Sequence, residues 1–256
     1  MSRAWVLDIE TIPEGLAFGE PLEVPDLYRL PYTPPEPRSA PRNYKRGGEA
    51  WVRWHQEEQI RYARLIEAEE AAHAEKCREA YLRTALHPRR CQVVAWAAVP
   101  LAGGEVVHHC GADEVSLLSK LQTLTEPERG RVPLLLAWNG PGFDFPVIRA
   151  RALVCNLPRL ADRFAPRAWN GRVFTSSNQL LDLMPFAPEA KRGSVSKKDA
   201  ADAWGVTVET LPGSETARLW SEGRLNQIRD HVVEDVLVER RLAELFRVGE
   251  ILGVEW

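Results

Sequence analysis

Nowhere is this sequence apolar for the roughly 20 residues that a helix needs to cross a bilayer, so no membrane span is expected. Cysteine is sparse. Cys77, Cys91, Cys110 and Cys155 are scattered without a CxxC pair, which argues against a disulfide framework or a zinc knuckle. The adjacent His108, His109 and Cys110 do not restore such a site, because neighbours on a strand point to opposite faces and no second half-site follows. Excess charge is lacking too. At a net −3, the chain is not a bulk binder of polyanions, although a local basic path remains open. The opening MSRAWVLDIE has no apolar signal core or cleavage site and runs directly into a strand, so a cytoplasmic location is expected. No internal repeat is present.

What is there suffices for one large core: 256 residues, 45% apolar. Residues 4–9 read as a short strand ending in acids. Pro13 to Pro41 is too rich in proline for a helix and reads as an extended segment draped over the surface. Residues 49–86 contain neither glycine nor proline and are rich in Ala, Glu, Arg and Leu, predicting one long charged helix or two in sequence. Residues 91–99 and 104–109 read as a hairpin, 113–124 as a helix capped by Asp113, and 132–138 as a buried strand. Residues 143–154 read as a helix with Pro146 in its first turn. Residues 157–193 read mostly as loop, with an apolar run at 180–184. Residues 194–204 read as a helix stopped by Gly205, 211–215 as a turn, and 225–251 as a final amphipathic helix. A hairpin joined to alternating strands and helices predicts an α/β fold with a mixed central sheet flanked by helices.

Three segments carry chemistry. Asp8 and Glu10 are i and i+2 on a strand, so both carboxylates can converge on one cation. Asn139-Gly140-Pro141-Gly142-Phe143-Asp144 turns from a strand into a helix, and Asp144 falls at the helix start, where the dipole favours an anion. His231 and Asp235 share one helix face at i and i+4. Taken singly, these also read as a solvated strand end, an ordinary cap and a surface pair.

Taken in order, the three segments resemble the DEDD superfamily of 3′→5′ exonucleases, which have a ribonuclease H-like fold. They most resemble the stand-alone bacterial and phage branch related to the proofreading domain of family B DNA polymerases. Ala40 to Lys45, Leu86-His87-Pro88 and Leu181-Asp182-Leu183-Met184 are weaker matches to that branch. One position departs from the pattern. The polymerase-like branch has Tyr, three residues, then Asp; here His231 stands at the Tyr position with that spacing kept.

The resemblance implies one exonuclease domain over residues 1–256, with 32–88 as a proline-rich plus helical insertion after the first strand. It implies two ions, Mg²⁺ or Mn²⁺, on Asp8, Glu10, Asp144 and Asp235, with His231 beside the attacking water. Asn139 and Phe143 would contact substrate, and Asp182 would support the site from behind. The implied partner is nucleic acid, single-stranded DNA 3′ ends above all, and protein partners stay open. Arg38, Arg42, Lys45, Arg46, Lys191, Arg192, Lys197 and Lys198 are candidates for the strand path. Two other readings stay open: a binding module on the same fold, and a ribonuclease H-type endonuclease.

Overall fold

The apolar N-terminal run forms β1 (Ala4–Pro13), the centre of a five-stranded sheet in a computed structural model. The structure describes residues 4–42, 45–128, 130–165, 167–169, 172–174, 179–192, 194–207 and 215–253; for 166–178 and 191–192 it describes at most the backbone. Asn43, Tyr44, residues 211–214 and the side chains of Lys191 and Arg192, all named above, lie outside the described residues. Two compact units emerge, one of Met1–Leu22 with Arg83–Trp256, the other of Glu23–Leu82.

In the first unit, β2 (Cys91–Pro100) and β3 (Val107–Cys110) form the expected hairpin, and β2 runs antiparallel to β1. β4 (Leu134–Ala137) and β7 (Leu180–Asp182) extend the other side in parallel, giving the order β3-β2-β1-β4-β7. β5 (Arg167–Trp169) and β6 (Arg172–Phe174) make a separate antiparallel pair. Residues 157–193 are thus more ordered than the sequence suggested. The segment also holds α4 (Pro158–Arg163). Strands of three residues are too short to display an alternation that a sequence reading can count.

Strand alternation sorts β1 between two faces. Trp5, Leu7 and Ile9 join a core with Leu117, Leu118 and Leu121 of α2 (Glu114–Thr125), Phe145, Val147 and Ile148 of α3 (Asp144–Val154), and Leu160 of α4. Burying such side chains stabilises by about 1.5–3 kcal/mol each. Asp113 caps α2 as expected, its carboxylate accepting from Ser116 N at 3.0 Å. A buried ion pair ties this layer together. Arg151 of α3 meets Glu114 through Nε–Oε1 at 2.9 Å and Nη2–Oε2 at 2.7 Å, and Glu114 also accepts from Val93 N at 2.8 Å. Such a fork satisfies donors and acceptors together, as burial requires.

The opposite face of β1 receives α7 (Leu225–Leu245), which packs on β1, β2 and β3. The short α6 (Glu215–Ser221), not foreseen in the sequence, packs on β1 and α7. α5 (Lys197–Ala203) lies against α7 through Ala200, Ala201, Val238 and Leu242. It begins at an N-cap, Ser196, and stops before Gly205 at φ +67°. The expected helix over 225–251 is interrupted. Arg247 takes φ 56°, separating α7 from α8 (Val248–Leu252).

The second unit holds α1 (Glu49–Leu82), continuous over 34 residues and so about 51 Å long. The proline-rich segment runs antiparallel along it. Leu30 N donates to Cys77 Sγ, Tyr32 lies tilted against His73, Tyr62 Oη donates to Pro35 O, and Arg38 N donates to Glu58 Oε1. Among the described residues no helix is long and apolar enough to cross a membrane.

Candidate active site

The polar face of β1 puts Asp8 and Glu10 under α7, and a bulge between Glu10 and Thr11 turns the strand immediately beyond them. α7 answers with His231, Asp235 and Glu239, spaced i, i+4, i+8 on one face. His231, Asp235 and Glu239 are buried, Glu239 completely. His231 Nε2 lies 3.1 Å from Glu10 Oε1, and Thr216 of α6 donates to Glu10 Oε2 at 2.6 Å. His231 Nδ1 and Asp235 Oδ1 are 3.9 Å apart, buried, and without a hydrogen-bond partner among the described residues. Ligand atoms of Glu10, His231 and Asp235 all fall within 4.8 Å of one another.

Lys197 of α5 enters the same cluster. Its Nζ is 2.7 Å from Asp235 Oδ2, 3.1 Å from Glu239 Oε1 and 3.9 Å from Asp8 Oδ1. Glu239 Oε2 accepts from Trp138 N at 3.1 Å, tying α7 to the end of β4.

Beyond Trp138 the chain turns through Asn139 at φ 55°, a conformation that asparagine tolerates better than most residues. Gly140 is required for space: a Cβ there would stand 2.7 Å from the Phe145 ring and 2.8 Å from Ala137 Cβ. A Cβ on Gly142 would collide with the Asn139 side chain. Phe143 precedes α3 and packs partly on the core, so Asp144 is the first helical residue, buried and close enough to Glu10, Lys197 and Glu239 to feel their charges. Asp182 at the end of β7 accepts from Asn139 N at 2.8 Å and Met184 N at 3.0 Å, bracing the turn. Asn139 is exposed.

Crowding sets the electrostatics. Burial pushes the Asp8 carboxyl well above the usual range; Glu239, Asp235 and Asp144 add to this, and Lys197 opposes it. Burial raises Asp144 in the same way, with Glu239 adding to it. Glu239 is pushed up to about 7, by burial first and against the pull of Lys197. Burial works against the Lys197 ammonium, but Asp8, Glu239 and Asp235 outweigh it and raise the amine well above its ordinary value. His231 is raised as well: burial lowers it, and the hydrogen bond and charge of Glu10 more than reverse that.

The structure therefore brings Asp8, Glu10, Asp144, His231 and Asp235 into one cluster. It adds Glu239, Lys197 and Thr216, which the sequence reading did not assign to the site. The i+4 spacing from Asp235 was a usable signal for Glu239. Away from the cluster, burial pushes the Cys91 and Cys110 thiols up to about 12, in keeping with structural thiols.

The chain matches the family described as "Predicted 3′-5′ exonuclease related to the exonuclease domain of PolB" over residues 80–239. Comparison with curated protein sequences finds no match. Among solved structures, the chain is similar in fold to the family B DNA polymerase from the hyperthermophilic archaeon Pyrobaculum calidifontis. The TM-score is 0.52 at 15% identity, over 96% of this chain and 25% of that one. The chain thus spans a quarter of the polymerase's length. At this identity the likeness carries the fold alone, which is the ribonuclease H-like α/β class expected from the sequence.

Proposed function

We propose that this chain, which belongs to that family of predicted 3′–5′ exonucleases, works by a two-metal mechanism on single-stranded DNA 3′ ends, releasing nucleoside monophosphates. One observation carries the metal reading. Seven ionisable groups meet where α7 crosses β1, and two of their polar atoms, His231 Nδ1 and Asp235 Oδ1, are buried with no hydrogen-bond partner among the described residues. Buried polar atoms left unsatisfied are costly, so such a pair suits an added ligand.

Carboxylate oxygens are the donors that Mg²⁺ and Mn²⁺ prefer, and burial, with the neighbouring carboxylates adding to it, raises Asp8 and Asp144 in a way that a bound divalent cation would relieve. In this reading Asp8, Glu10, Asp144 and Asp235 would hold two divalent ions, which when bound would supply an activated nucleophile and charge neutralisation at the leaving 3′ oxygen.

The chain's own groups do the rest. With His231 Nε2–H committed to Glu10, Nδ1 presents a lone pair that orients the attacking water and takes its proton. Thr216 and His231 together fix the Glu10 carboxylate. Glu239 holds Lys197 and the Trp138 amide, keeping α7 in register with the turn that carries Asp144. Asn139 and Phe143 meet the terminal nucleotide, and Asp182 positions the Asn139 backbone.

A closed substrate separates this reading from endonucleolytic cleavage. A covalently circular single strand stays intact under conditions that digest the same strand in linear form. Nicking of the circle at a comparable rate would overturn the exonuclease assignment.

A further inference from the structure

The unit Glu23–Leu82 carries a feature that helix stability does not explain. Between Arg38 and Arg53 the chain has five cationic side chains, Arg38, Arg42, Lys45, Arg46 and Arg53, and one carboxylate, Glu49. Between Glu67 and Glu79 it has five carboxylates and two cations. Positive charge therefore gathers at the N-terminal end of α1 and negative charge towards its C-terminal end. The helix dipole does not account for this: it favours an acid in the first turn, where Glu49 stands, and gives nothing to cations ahead of the helix or at Arg53 one turn in.

The antiparallel course of the proline-rich segment delivers these cations to one end. From Cys77 to Glu58 the helix rises about 28 Å at 1.5 Å per residue. Their partners, Leu30 and Arg38, are about 25 Å apart at the 3.1 Å per residue of an extended proline helix. The two paths match, so the segment reaches the amino-terminal quarter of α1 already extended, and the chain then reverses into the helix through Lys45 and Gly48. Arg42, Lys45, Arg46 and Arg53 are exposed and form no ion pair among the described residues.

Aromatic rings lie among these charges. Trp51 stacks on His55 with centroids 4.9 Å apart and planes at 11°, and Trp54 lies 6.5 Å from the same imidazole. The three are i, i+3 and i+4 on one helix face. Both indoles are half-buried and the imidazole is exposed.

Cations for phosphates beside flat rings for bases are the two components of a single-strand platform. We propose that the amino-terminal end of α1, with residues 38–42 and 45–48, binds single-stranded nucleic acid as a contact in its own right. The choice of nucleic acid as the ligand rests on the exonuclease reading. A duplex hides its base faces from the rings, so the platform selects single strands.

The test uses the full chain with metal chelated, so that binding is read without cleavage. Fluorescence anisotropy follows a labelled oligothymidine of about 16 nucleotides, beside an oligouridine, a duplex and anionic lipid vesicles. The Trp51→Ala/Trp54→Ala and Arg46→Gln/Arg53→Gln variants each weaken single-strand binding at least about tenfold. The charge variant also lowers the salt slope by about 0.7 per cation removed. Arg46→Lys/Arg53→Lys retains binding, and circular dichroism verifies that α1 persists in each variant.

Unchanged affinity in both substituted variants overturns the proposal. So does equal α1-dependent binding of duplex, or of vesicles, which would make this end a general cationic or lipid surface. Binding and cleavage fail separately. A chain that cuts DNA while its α1 variants bind normally loses this inference alone. A chain that binds through α1 but never cuts loses the exonuclease reading and keeps this one.

Discussion

His231 Nε2 stands 3.1 Å from Glu10 Oε1, joining the last long helix to the first strand across more than 200 residues of chain. This contact fixes the imidazole and leaves Nδ1 buried with no hydrogen-bond partner among the described residues. If Nδ1 serves the attacking water, His231→Gln lowers kcat by about a hundredfold or more and leaves KM nearly unchanged. Steady-state kinetics on a single-stranded oligonucleotide check this. An equally large rise in KM with kcat preserved would assign His231 to binding.

The crowded carboxylates give the metal-free protein a distinctive pH dependence. Asp8, Asp144 and Glu239 have folded-state values raised above the ordinary range, Glu239 to about 7. A raised carboxyl contributes stability that is fully present below its unfolded value, near 4, and is lost as pH rises through its folded value. In chelator, Tm therefore falls between about pH 5 and about pH 7.5, and the fall is smaller in Glu239→Gln. Divalent ion reverses it, most strongly at the upper end, and its binding releases protons. Calorimetry in buffers of different ionisation enthalpy detects that release. A Tm that is level or rising over this range in chelator contradicts the account.

Lys197 occupies the cluster as an internal cation, bonded to Asp235 and Glu239. Lys197→Met removes the counter-charge and leaves buried carboxylates uncompensated, which costs about 3–5 kcal/mol in chelator. The same change removes a competitor for the carboxylates, so Mn²⁺ binds more tightly, as titration followed by electron paramagnetic resonance would measure. Weaker Mn²⁺ binding in a folded Lys197→Met protein would show that the ammonium supports the site instead of competing for it.

On the other face of the sheet, Arg151→Met strands the buried Glu114 carboxylate and costs about 3–5 kcal/mol in chemical denaturation. Arg151→Met combined with Glu114→Gln recovers much of this, because the amide still accepts from Val93 N and carries no charge. No recovery in the double variant would place the loss in packing around the guanidinium.

The sequence shows the site unevenly, for physical reasons. Asp8 and Glu10 are legible because a strand's period of two puts them on one face, and His231 and Asp235 because a helix repeats at four. Glu239 extends that helical period and was there to be read, but a buried glutamate on an amphipathic helix looks the same as a solvated one until the packing is known. Lys197 sits beside Lys198 in a run that suggests a solvated basic face. Only the docking of α5 on α7 turns one of the two inward. Thr216 lies on a short helix whose local signal was hidden by the neighbouring turn residues. In the fold, the long strands, the hairpin and α1 follow from composition and period. The three-residue strands and the break at Arg247 depend on tertiary contacts.

The most direct test of the central claim follows a 5′-labelled single-stranded DNA over time with Mg²⁺, with Mn²⁺ and with chelator, for the wild type and Asp8→Asn. The account predicts a ladder shortening stepwise from the 3′ end with either ion. It predicts no ladder in chelator, and at least about a thousandfold slower shortening in Asp8→Asn, as expected when several kcal/mol of transition-state stabilisation are lost. Shortening that persists in chelator, or in a folded Asp8→Asn protein at the wild-type rate, would contradict it.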